Sequence, residues 1–115
     1  MINKFLYFVR VSPTQYQACE NAQNMLNEAG FEKLNESSKW NLVMGGKYYI
    51  TRNNSSVIAF TVPTDLSNLS FNITAAHLDS PTFKLKPNFT LDGGYQKLNT
   101  EVYGGPIFLT WMDRP

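Results

Sequence analysis

One cysteine, one histidine and two tryptophans occur among the 115 residues, and the first scarcity is informative at once. A lone thiol, Cys19, has no partner for an internal disulfide. A disulfide-stapled secreted scaffold is therefore excluded, and a reducing compartment, the cytoplasm, is the expected location. Excess charge of one sign is missing too: ten basic against nine acidic side chains leave a net +1. With its basic residues scattered, such a chain is expected to bind neither nucleic acid nor a membrane surface. Long apolar runs are also absent, whereas a bilayer span takes about 20 such residues. The start, MINKFLYFVRVSP, is broken by Lys4 and Arg10 and lacks a small-residue cleavage site, so no secretory leader is expected. The N-x-S/T triplets at Asn53, Asn68, Asn72 and Asn88 then reflect an asparagine-rich composition rather than glycosylation.

What is present suits one small core. The apolar share of 43% is that of an ordinary globular protein, and a chain of this length buries about two-thirds of its unfolded surface. In SPTQYQACENAQNMLNEAG, Ser12 can cap a helix, Pro13 suits its first turn and Gln15 completes a capping box. Cys19, Ala22, Leu26 and Ala29 recur at steps of three and four, striping one helical face, and Gly30 is the natural stop. On that face Cys19 reads as a small core hydrophobe, because no basic residue flanks it to activate the thiol.

The remainder reads as β-structure. FEKLNESSKWNL is a short strand or loop with Trp40 as a buried anchor, and GGKYYITRNNSSVIAFTVP is a hairpin with arms Lys47–Thr51 and Val57–Val62. LSFNITAAH alternates at Leu69, Phe71, Ile73 and Ala75, which predicts a strand with one buried face that delivers His77. Pro81 forces an extended exit. Phe83 and Leu85 then alternate with Lys84 and Lys86 in a further strand, PNFTLDGGYQ is a turn-rich connector, and KLNTEVY and PIFLTWM are two more strands around Gly104-Gly105. One early helix with many strands predicts a mixed α/β fold. The strongly apolar end lacks the usual polar fraying and reads as a chain interrupted.

His77 and Asp79 are the candidate chemistry. Residues two apart in an extended segment face the same side, so the carboxylate could accept an imidazole N–H. Such a partner fixes the tautomer and raises the basicity of the other nitrogen, as for zinc-bound histidine. H-x-D on its own also fits a structural turn. A triad using Ser80 is not favoured, because adjacency does not supply triad geometry.

The wider stretch AAHLDSPTFKLKP resembles the G-A-H-T-D-S-P segment of the M18 metalloaminopeptidases, the aspartyl aminopeptidase and aminopeptidase I group. SPTQYQACENAQNMLNEAGF, W40-N-L and GGKYYITRNNSSVIAF follow the order of that family's amino-terminal part, and TEVYGGPIFLTWMDRP is similar to its V-E-x-Y-G-G-x-I-x-x-T-W-x-D-R segment. Nearly the whole chain is covered. The resemblance implies that His77 ligates one of two zinc ions and that Asp79 orients it. It implies an enzyme that releases amino-terminal residues from peptides with a free amino terminus by zinc-activated water attack, and that works as a homo-oligomer. Leu78 replaces the usual threonine and Gln17 a histidine often found there, both mild departures. Tyr103, Gly104 and Gly105 are expected to form a tight turn, Glu101 to face solvent, and Arg114 to pair with a carboxylate.

The second histidine, the later acidic motifs and the glutamate general base of the family have no match here. The resemblance therefore implies an amino-terminal portion, inactive alone, of a zinc-exopeptidase-like α/β/α enzyme. Residues 1–87 would belong to the catalytic domain, and residues 88–115 would start an inserted β-rich oligomerisation domain. A truncated, non-catalytic relative serving in assembly or regulation is the alternative.

Overall fold

The computed structural model describes residues 1–67 and 69–107. They fall into two compact units that divide between Asp79 and Ser80. The first unit carries α1 (Ile2–Val11), α2 (Gln15–Glu28), β1 (Glu32–Lys33), β2 (Lys47–Arg52) and β3 (Ser56–Thr61); the second carries β4 (Thr82–Leu91) and β5 (Lys97–Tyr103).

Helix α1 was not anticipated, although Ile2, Phe5, Leu6 and Val9 stand at helical spacing. It moves the start of the next helix. Ser12 closes α1, its N–H bonded to Val9 O at 3.3 Å, and its hydroxyl accepts from Asn21 Nδ2 at 3.0 Å. With Ser12 engaged there, the N-cap of α2 falls to extended Thr14, whose hydroxyl donates to Gln17 Oε1 instead of closing the expected capping box. The far end follows the sequence. Gly30 takes φ 79°, its N–H reaches Asn27 O and the Phe31 N–H reaches Leu26 O, each at 3.0 Å. That pair of bonds is a Schellman cap, and it needs a residue without Cβ strain at the left-handed position.

The sheet order is β1-β2-β3, with β1 parallel and β3 antiparallel to β2. The hairpin register runs from Lys47 opposite Thr61 to Arg52 opposite Ser56. Asn53 and Asn54 both have positive φ, the sign pattern of a type I′ turn, which asparagine tolerates.

Adjacent residues on β2 point to opposite faces, and this organises the core. Tyr49, 2% exposed, donates its hydroxyl to Asn27 Oδ1 of α2 at 2.9 Å. Ala18 and Cys19 of α2 are fully buried as well. Tyr48 lies on the other face, 5.8 Å from Phe60, on which Trp40 stacks at 6.0 Å. Trp40 is half-buried rather than buried, and its indole N–H donates to Asn35 O at 2.8 Å.

Burial raises the pKa of the Cys19 thiol, against smaller lowering by the Lys33 charge and the Gln23 hydrogen bond. The thiolate is the reactive form. At mildly alkaline pH the folded chain is expected to react with an aromatic disulfide reagent at least about 100-fold more slowly than the urea-unfolded chain; equal rates would place the thiol at the surface.

The strand expected at 69–77 does not form. Leu69, Phe71 and Ile73 are 56–88% exposed, and among the described residues no strand pairs with this segment. Alternation marks a segment that can pair, but a ladder needs a neighbour to accept its hydrogen bonds.

In the second unit β4 and β5 pair antiparallel from Thr82 opposite Tyr103, with a register shift between Leu85 and Thr90. The expected connector shrinks to residues 92–96, since β4 continues through Pro87 and Asn88 to Leu91. Proline has no N–H to donate, and the irregular stretch is where a strand accommodates it. β4 thus crosses residue 87. Lys84 lies opposite Glu101 and places Nζ 3.7 Å over the Tyr103 ring. Pro106 and Ile107 lie in no strand; the rest of the expected PIFLTWM strand, and Arg114, fall outside the described residues.

Candidate metal centre

His77 and Asp79 come together, though not through the extended geometry expected of them. Leu78 and Asp79 form a bend, and Ser80 precedes Pro81, which biases Ser80 to extended backbone. The bend folds residue 79 back onto the imidazole. His77 Nδ1 lies 2.8 Å from the main-chain O of Asp79 and 3.1 Å from its carboxylate Oδ1. Both are hydrogen-bonding distances. The histidine side chain is 40% exposed while that of Asp79 is 8% exposed, so the ring can meet an ion and the acid behind it is sheltered. Both acceptors suit an N–H at Nδ1, the tautomer that would offer Nε2 to an ion.

The donor set matches one ligand position of a zinc site with its orienting partner. It does not complete a site. Among the described residues no group of three or more His, Cys, Asp or Glu side chains is placed to hold a metal, and catalytic zinc takes three protein ligands.

Other sequence candidates stand apart from this chemistry. Gln17 is exposed on α2, Ser80 is exposed, and Glu101 faces solvent as expected. Gly104 has φ 77°, consistent with the tight turn. Two acids are tuned by structural bonds. Arg52 hydrogen-bonds Glu36 and lowers its pKa, pinning the loop after β1 to the hairpin. Asp65 is lowered by the backbone N–H and then the hydroxyl of Ser67, both at 2.8 Å. The residue-type pattern missed the main-chain carbonyl of Asp79, which side-chain types do not encode.

Residues 8–115 match the family described as aminopeptidase I zinc metalloprotease (M18). The chain belongs to that family. A probable M18 family aminopeptidase 2 of Clostridium novyi is 48% identical over 98% of the chain. Among solved structures, the Ape4 and Nbr1 complex contains a chain with TM-score 0.73 and 42% identity over 96% of this one. The S. cerevisiae mApe1 dodecamer gives TM-score 0.64 and 30% identity over 97%. The M18 chain described here spans 27% of the Clostridium relative and 22% and 27% of those two structures. Its mixed helix and sheet arrangement is thus one found within M18 aminopeptidases.

Proposed function

We propose that this chain supplies one metal-ligating imidazole, His77, with Asp79 as its positioning residue, to a metalloaminopeptidase that releases amino-terminal residues from peptides. The observation that carries the reading is an exposed imidazole whose Nδ1 meets Asp79 at 2.8 and 3.1 Å, in a chain of a family described as zinc metalloproteases. Two zinc ions per active site would supply Lewis-acid activation for peptide hydrolysis. The task of this chain's residues is narrower. Asp79 keeps the proton on Nδ1 and the ring in one orientation, and His77 presents Nε2. Peptides with a free amino terminus are the proposed substrates and the cytoplasm the proposed location. Assembly as a homo-oligomer is proposed from the dodecameric neighbour. Residues 1–87 are assigned to the catalytic domain and 88–115 to the start of an inserted β-rich domain.

Orienting partners of a metal-bound histidine are worth about 10- to 100-fold in metal affinity or activity. In the full-length enzyme Asp79→Ala is expected to lower zinc occupancy and peptidase rate by that factor, read by elemental analysis and an aminopeptidase assay. Unchanged values for both would sink the assignment. The alternative reading is a non-catalytic relative acting in assembly or regulation. A native protein with an intact mass of 13.1 kDa and no peptidase activity would establish it.

A further inference from the structure

We propose that Asp92, in the β4–β5 connector, is a modification site at which the main chain rearranges to an isoaspartyl linkage. The rearrangement needs an aspartyl carboxyl that can turn onto the next residue and a following amide nitrogen that it can reach. Two of the described aspartates are held away from it. Asp65 accepts the N–H and the hydroxyl of Ser67, both at 2.8 Å, and the Asp79 side chain is 8% exposed. Asp92 is exposed, and the bend that follows it begins at Gly93. Gly93 takes φ 154° and has no Cβ to screen its nitrogen. Beyond its chain neighbours, the nearest group to a Cβ placed there is the flexible end of Lys97, at 3.5 Å, and Gly94 has nothing within 4 Å of that point. The connector therefore has room to close a ring. The asparagine turn of the β2–β3 hairpin lacks this freedom. The Ser55 nitrogen, which would attack Asn54, donates its proton to Arg52 O at 3.1 Å.

The chemistry consumes nothing but water. The Gly93 nitrogen bonds to Cγ of Asp92, and its proton leaves with the carboxyl hydroxyl as one water molecule, giving a succinimide. Water then adds at the main-chain carbonyl carbon of Asp92 and breaks the bond from that carbon to the Gly93 nitrogen. The chain afterwards runs through Cγ, one methylene longer, with a free α-carboxylate and an unchanged mass. That methylene enters directly beside the Leu91–Lys97 pair that closes the hairpin, where it works against the ladder.

The test is to age the folded chain at neutral pH and map isoaspartate by peptide digestion with electron-based fragmentation, which separates the two linkages. Residue 92 is expected to lead Asp65, Asp79 and Asn54. Asp92→Glu, which keeps the charge but does not form the succinimide, is expected to lose the signal at 92 and leave the other sites unchanged. Ageing in urea is expected to speed the reaction at Asn54 by at least about fivefold, the worth of one ordinary hydrogen bond, because the Ser55 nitrogen is then released. As much isoaspartate at Asp65 or Asp79 as at Asp92, or a lead for Asn54 in the folded chain, overturns the proposal. An Asn54 rate unchanged by urea overturns the account of why the fold selects Asp92.

Discussion

Tyr49→Ala is expected to destabilise the first unit by about 3–5 kcal/mol, the range for truncating a buried aromatic to alanine. That is comparable with the whole stability of a small domain, about 5–15 kcal/mol. Tyr49 is the largest fully buried side chain described, and its hydroxyl ties β2 to Asn27 of α2. Removing its ring leaves a cavity in the buried interior of the first unit. Urea titration followed by circular dichroism measures the loss, and the exposure of the Cys19 thiol reports it independently. Tyr49→Phe separates the two contributions: it keeps the ring and deletes the 2.9 Å bond to Asn27, an expected loss of about 1 kcal/mol. A Tyr49→Ala chain melting with the native one would show that α2 is not held to the sheet through this residue.

His77→Ala in the full-length enzyme is expected to cost more function than any other substitution in this chain, and almost no stability. Loss of an orienting partner costs about 10- to 100-fold. Loss of the ligand itself is therefore expected to lower zinc affinity and peptidase rate by at least about 100-fold. Stability is spared because the ring is 40% exposed and its segment lies in no strand. Equilibrium dialysis against zinc, an aminopeptidase assay and a thermal melt read the three quantities. Native zinc binding in His77→Ala would remove the imidazole from the metal site, and a large fall in melting temperature would make its role structural. His77→Gln, which keeps polarity and bulk, is expected to lose metal in the same way.

The two parts of the chain differ in how far local pattern reached. Around α2 and the β2–β3 hairpin, the signals are local and mutually consistent. A three-and-four-residue stripe ends on Gly30, and two β-rich arms flank asparagines that accept positive φ. These elements form almost where the pattern puts them, because each closes its own hydrogen bonds. Competition between neighbours decided the finer points, since Ser12 can close α1 or open α2 but not both. At 69–77 the same alternation produced no strand. A helix bonds within itself, whereas a strand depends on residues distant in sequence.

The sequence by itself determined the family, the helix stop, the hairpin and its asparagine turn, and the identity of the candidate ligand, since the chain has one histidine to offer. Only the tertiary structure decided that Tyr49 rather than Tyr48 faces α2, that Trp40 is half-buried, and that a bend brings the carbonyl of Asp79 to the imidazole. The reason is physical. Side-chain periodicity encodes which face a residue occupies, but the partner on that face and the direction of a backbone carbonyl depend on φ and ψ at a few turn residues, which the pattern of side chains does not specify.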